Sequence, residues 1–312
     1  MVGATIAART GRGSHPIIVP RRRPPGYDAS VLLLVDLDGV VYRGSAPVAG
    51  VAAVLSDRAS KGDDVVYVTN NSMHYRADYV ARLAAMGAPV TPERVVSSPR
   101  ATALWLADQV PRPRRVLAFG GSGMRRELED LGFEVVSAAD AAARSMAEGI
   151  DGFEAAGRPD AVVVGLDPDV TYERLAVATD AARAGALFVV TNRDPVYPTE
   201  HRLMPGAGSM VAAVETASGV TPISIGKPAP LLLVEAARAV GADPRDAVMI
   251  GDGIVTDLAA ARAVGARCVL MLTGVTSRAQ IEALPPADRP TAVAADATEL
   301  AAILERLGAD LG

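Results

Sequence analysis

The sequence predicts an α/β protein: a Rossmann-like parallel-sheet core into which a second α/β module is inserted. Three observations carry this. Residues Val31 to Asp38 read VLLLVDLD, five apolar residues that stop at two aspartates; the run is too short for a membrane span and suits a strand buried on both faces. Short apolar runs then alternate with helical patterns along the chain. From Arg112 that alternation restarts, and the theme of a strand ending on polar groups returns only at Ile223.

Each element follows in order. Asp36 falls at the carboxyl end of the first strand, where open α/β sheets bind ligands, and Asp38 lies on the following turn. Alternation turns Leu37 away and brings both carboxylates toward one spot. Gly39 to Pro47 reads as a Gly/Pro-bounded turn and Val48 to Lys61 as a helix. Val65 to Val68 is a second strand running into Thr69, Asn70, Asn71 and Ser72, and Tyr75 to Met86 a helix stopped by Gly87. Val95 and Val96 form a short strand that leads through Ser97, Ser98 and Pro99 into the helix Ala101 to Gln109, where Trp105 is read as core.

The inserted module has strands Val116 to Phe119, Phe133 to Val136, Ala161 to Val164 and Leu187 to Val190. Between them fall helices Met124 to Leu131, Ala138 to Glu148 and Tyr172 to Ala184. Beyond it, Ile223 to Gly226, Ala247 to Ile250 and Cys268 to Leu272 read as further core strands, separated by helices Ala229 to Val240 and Leu258 to Val264. A last strand and helix lie within Thr291 to Leu307. The domain expectation is a core of residues 29–100 and 222–312, a module of residues 101–221, and a disordered basic tail of residues 1–28.

Composition narrows the function. Half of the 312 residues are hydrophobic, enough for a sizeable core. No apolar run approaches the roughly 18 residues of a membrane span. The single Cys268 excludes an intramolecular disulfide framework and fits a reducing cytoplasm, which is the expected location. The first 27 residues hold five arginines and no acid; removing them from the net −5 leaves −10 on the remainder, which argues against nucleic-acid affinity there. Of 31 basic residues only Lys61 and Lys227 are lysine, so a surviving lysine points to ammonium chemistry.

The polar strand ends can converge, because parallel strands with right-handed crossovers place their carboxyl ends on one edge. Asp36, Thr69, Lys227 and Asp252 are the residues in question, with Asp257 five positions beyond the last. Carboxylates of this kind suit Mg²⁺, while a hydroxyl and an ammonium suit a phosphoryl group. The combination implies phosphoryl transfer, in which a carboxylate attacks phosphorus and Asp38 moves the protons.

DLDGVVYRG, VTNNS, GKP and GDGIVTD, in that order, resemble the four motifs of the haloacid dehalogenase superfamily. The insertion resembles its subclass with a large α/β cap; TNRDPVYP, PGAGS and AAVETASG resemble the cap end of its glycerol-3-phosphate, phosphoglycolate and pyridoxal phosphate phosphatases. The resemblance implies Asp36 as nucleophile and Asp38 as general acid/base. It implies Thr69 and Lys227 as phosphoryl ligands flanked by Asn70 and Asn71. Asp252 would ligate Mg²⁺ with Asp36 and the carbonyl of Asp38, and Asp257 would hold metal waters or Lys227. In the cap loop TNRDPVYPTEH, residues such as Asn192, Tyr197 and His201 would read the leaving group.

The expected substrate is a small phosphorylated metabolite. Likeness to actinobacterial members puts glycerol 3-phosphate first; phosphoglycolate, pyridoxal phosphate and nucleoside monophosphates stay open. No nucleic acid or membrane is expected as a partner, and a homodimer through the cap is carried from related proteins. Two readings lie outside the class. Gly120-Gly121-Ser122-Gly123 follows a strand and precedes a helix, as in a nucleotide-cofactor oxidoreductase, but lacks the full glycine spacing, so a tight turn is favoured. An inert ligand-binding protein on the same fold is opposed by the intact Asp36, Asp38, Lys227 and Asp252.

Overall fold

The computed structural model describes residues 30–155, 158–199 and 202–309. The basic tail and His201 lie outside them. Six parallel strands form the larger sheet, in the order Ala292–Ala294, Arg267–Met271, Ala247–Gly251, Leu32–Asp36, Asp64–Thr69, Val95–Ser97. The chain begins in the middle and builds outward through Asp64–Thr69 to one edge. It then returns to build the other side from Ala247–Gly251. Strand order therefore reverses between Leu32–Asp36 and Ala247–Gly251, and the crevice over such a reversal is where open sheets take ligands.

A second, five-stranded parallel sheet runs Ile223–Ser224, Leu187–Val190, Ala161–Val164, Arg115–Phe119, Glu134–Ser137. The strand at Ile223 thus departs from the sequence expectation. Its partners are Val189 and Val190 of the second sheet, not a strand of the core. A two-residue, half-buried parallel strand is too short to carry a mark of which sheet it will join.

Alternation sends Leu32 and Leu34 to one face of the larger sheet and Val31, Leu33 and Val35 to the other. The first face belongs to an apolar cluster that also takes in Trp105 and Val116, Ala118, Ala161, Val163 and Val189 of the second sheet. Trp105 is core, as expected, and the two sheets share one continuous apolar layer. The opposite face of the second sheet has its own cluster around Phe119, Val164 and Val190.

Three regions to which no strand or helix was assigned contain structure. Tyr42–Arg43 pairs with Ala46–Pro47, and Val196–Pro198 pairs with Leu203–Pro205 in an antiparallel hairpin. Ala207–Ser218 is a helix, so Gly208 of PGAGS sits inside a helix where no element was predicted. Strands of two or three residues and an Ala-rich helix leave too little periodicity to detect.

Candidate active site

Asp36 ends its strand and Asp252 follows the neighbouring one, on either side of the strand-order reversal. A π-helical turn, Ile254–Leu258, brings Asp257 back to the same place. Ligand oxygens of Asp36, Asp252 and Asp257 all lie within 4.8 Å of one another. Lys227 arrives from the far side, after the last strand of the second sheet. Its ammonium is 2.8 Å from Asp36 Oδ1 and 2.6 Å from Asp257 Oδ1, and the residue is 2% exposed. Four groups spread over more than two hundred positions thus meet, although the lysine comes from the other sheet.

Asp257 is fully engaged. Its Oδ2 accepts from the backbone N–H groups of Asp252 (3.2 Å) and Gly253 (2.8 Å) and from Thr256 Oγ1 (3.2 Å), while Oδ1 holds the lysine. It fixes both the Asp252 turn and Lys227. Asp252 Oδ2 accepts from Val275 N at 2.8 Å, and its carboxylate fits against Gly39 and Gly274 so closely that a Cβ on either would overlap it.

Electrostatics at the site are under tension. Burial raises the Asp36 carboxyl well above its ordinary value; Lys227 opposes this, and Asp257 and Asp252 add to it. Burial, then the Asp257 charge, pushes Asp252 up to about 6. For Lys227 burial pulls downward, yet Asp257 and Asp36 prevail and hold the ammonium above its usual range. Three carboxylates against one buried ammonium leave an excess of negative charge that a cation would relieve.

Thr69, 3% exposed, accepts from Asn71 N at 3.1 Å through Oγ1, which keeps the hydroxyl proton free to donate. Asn71 Oδ1 accepts from Met73 N (2.9 Å), and its carbonyl accepts from Tyr79 OH (3.0 Å). Asp38 is exposed on its turn, though partial burial of the carboxyl still raises it, with Arg82, Lys227 and His74 pulling the other way. Asn192 is buried and donates to the Asn70 carbonyl at 2.7 Å, so its amide joins the two sheets. Tyr197, on the hairpin, lies within electrostatic reach of Tyr42 and Tyr79 beside the Asp38 turn. His74 is exposed, and Arg76 pairs with Glu127 and Asp130 of the second module.

Sequence reasoning missed the fully buried Glu127, which accepts from Arg76 N at 3.1 Å. It also missed Ser98, whose hydroxyl donates to the Asn70 carbonyl at 2.7 Å. The dipeptide Ser98-Pro99 at a strand-to-helix junction was the available signal for the second. None existed for the first.

Hard carboxylate oxygens, two of them on adjacent strand ends and in unrelieved repulsion, fit a divalent cation. A family model for haloacid dehalogenase-like hydrolases matches residues 33–134, and a second, HAD-hydrolase-like model matches 224–300. The D-glycerol 3-phosphate phosphatase of Mycobacterium tuberculosis is 39% identical over 268 residues, covering 86% of this chain and 70% of that protein. The chain belongs to the haloacid dehalogenase-like hydrolases. Among them, the acid sugar phosphatase of Staphylococcus aureus is 34% identical over 80% of this chain and 89% of its own length. A crystal structure of glycerol phosphate phosphatase from M. tuberculosis in complex with magnesium superposes with a TM-score of 0.73 at 37% identity, covering 87% of this chain and 76% of that one. This hydrolase is a phosphatase by class, and the superfamily and α/β fold expected from its motifs both hold. Among the described residues no helix is long and apolar enough to cross a membrane.

Proposed function

We propose that this phosphatase hydrolyses a small phosphomonoester, glycerol 3-phosphate first among them, through an aspartyl-phosphate on Asp36 and with Mg²⁺ as cofactor. The observation that carries the reading is Lys227 Nζ at 2.8 Å from Asp36 Oδ1, inside a group of three carboxylates. Identity to the M. tuberculosis enzyme supports the substrate.

Asp36 and Asp252, with the carbonyl of Asp38, would hold the cation. Bound there, it supplies the positive charge that lets an anionic nucleophile approach a phosphoryl dianion. Lys227 and the Thr69 hydroxyl bind phosphoryl oxygens, and Asp257 keeps the ammonium aimed. Asp36 Oδ2 attacks phosphorus as the ester oxygen leaves; Asp38 gives that oxygen a proton, then takes one from the water that hydrolyses the acyl phosphate. Tyr197 stands on the leaving-group side.

A panel of glycerol 3-phosphate, phosphoglycolate, pyridoxal phosphate, a sugar phosphate and a nucleoside monophosphate, compared by kcat/KM, tests the substrate. Glycerol 3-phosphate is expected to lead, and chelation to abolish turnover reversibly. Another ester leading would overturn the substrate assignment. Full turnover in excess chelator would overturn the cofactor.

A further inference from the structure

The carboxyl edge of the second sheet is occupied by a segment of the same chain, residues 70–76. From the loop after Ala161–Val164, Leu166 N donates to Ser72 Oγ at 3.1 Å. The loop after Leu187–Val190 brings Asn192 and a half-buried carboxylate, Asp194. These last two meet the core at a single residue, Asn70. Its carbonyl accepts from Ser98 Oγ and Asn192 Nδ2, both at 2.7 Å. Its Nδ2 donates to the Lys227 carbonyl at 2.8 Å and to the Asp194 carboxylate at 3.1 and 3.3 Å. Its Oδ1 is buried without a hydrogen-bond partner.

An amide nitrogen has two protons. Here one carbonyl and one carboxylate engage them, so the Asn70 side chain is set from both sides. Asp194 is itself held tightly: its N–H donates to Asn192 Oδ1 (3.0 Å) and its carbonyl accepts from Gly208 N (2.9 Å). A Cβ at Gly208 would stand 2.7 Å from the Arg193 carbonyl carbon and 2.9 Å from Asp194 O, so PGAGS lets the helix start lie against this backbone. Burial raises the Asp194 carboxyl, and the Asn70 amide and Lys227 draw it back. An anion so near a phosphoryl site repels a phosphate, so its presence calls for a task that offsets that cost.

We propose that Asp194 is a positioning residue for phosphoryl binding: through Asn70 it fixes the backbone of Lys227, and hence the ammonium beside Asp36, from the second sheet. This rests on reading Asp36 and Lys227 as the phosphoryl site. The test uses full-length, Mg²⁺-loaded Asp194→Ala and Asp194→Asn proteins. Each is assayed on glycerol 3-phosphate and p-nitrophenyl phosphate, and titrated with inorganic phosphate. Misplacement of an aimed group costs roughly 10- to 100-fold. Asp194→Ala should lower kcat/KM by that much and by the same factor for both esters, and weaken phosphate binding. Asp194→Asn keeps an acceptor oxygen and should recover most of the loss.

Asp194→Ser, too short to reach Asn70, replaces the alanine variant if that one does not fold. Wild-type behaviour of the truncated variant would overturn the proposal. So would a loss confined to the hydroxyl-bearing ester, which would make Asp194 a reader of the leaving group, or an asparagine variant as impaired as the alanine one. If wild-type enzyme turned over neither ester, the proposed function would fall, and the phosphate titrations would still decide the role of Asp194.

Discussion

At the carboxyl edge of the six-stranded sheet the strands deliver Asp36, Thr69 and Asp252; at the same edge of the five-stranded sheet they deliver glycines, backbone N–H groups, Asn192 and Asp194, and the one group lent to the first site, Lys227. The first edge gathers charge within 4.8 Å and leaves it unbalanced. The second, Lys227 apart, docks onto the core segment 70–76 through Leu166 N, Asn192 and the helix that carries Glu127. Both edges have the topology that binds ligands in open sheets. The difference teaches that topology provides a place, and side-chain chemistry decides whether that place performs a reaction or docks a neighbour. The glycine turn at 120–123, which invites a nucleotide reading, packs against peptide instead.

The comparison breaks most sharply at Asp36. An amide there cannot attack phosphorus, and turnover of Asp36→Asn should fall by roughly 10⁴-fold or more. The fold should not suffer. Because burial holds the Asp36 carboxyl above its ordinary value, the folded state disfavours its charge, and Lys227 keeps Asp257 as a partner at 2.6 Å. A thermal melt of the cation-free variant should therefore match or exceed wild type. Retained turnover, or a marked loss of Tm, would erase the distinction between an edge built for reaction and one built for stability.

A smaller effect separates the edges by pH. Asp252 titrates at about 6 in the folded protein, against about 3.9 unfolded. Its charge thus opposes folding above that value, and the cation-free protein should gain stability as pH falls from about 6 toward 4. Binding of Mg²⁺ needs the ionised carboxylate, so its stabilising effect runs the other way. The Tm increase on adding Mg²⁺ should be large near about pH 7.5 and shrink through pH 6. Melts with and without the ion across that range check it. A constant increment would remove Asp252 from the cation site.

The two edges also differ in how legible they were. Asp36, Thr69, Lys227 and Asp252 stand out because polar residues that terminate apolar runs violate the local pattern, and such violations mark function. Their convergence could be argued from parallel topology alone. That Lys227 follows a strand of the second sheet could not, because Ile223–Ser224 is only two residues long and compatible with either sheet. The docking edge was nearly silent. Gly123, Ser72 and Gly208 act by what they leave out or by one hydroxyl, and Glu127 on its helix looks like any surface acid until burial shows otherwise.

The smallest effect is expected at Gly123, in the helix Ser122–Glu129. On helix propensity alone Gly→Ala would stabilise by about 1 kcal/mol. Here the new Cβ would lie 2.7 Å from both Met73 O and Tyr75 N. These are backbone atoms that cannot rotate aside, and overpacking of this sort costs about 1–3 kcal/mol. The clash should win, with a net loss of up to about 2 kcal/mol in urea unfolding. Activity should fall several-fold at most, because Asn192 and Asp194 still grip Asn70 at the other end of the segment. Gly121→Ala is the internal control: its Cβ would meet Met73 O at 3.7 Å, an ordinary contact, and it should be close to neutral. If Gly123→Ala were instead the more stable protein, helix propensity would have prevailed, and the second sheet's edge would not be in contact with the core in solution.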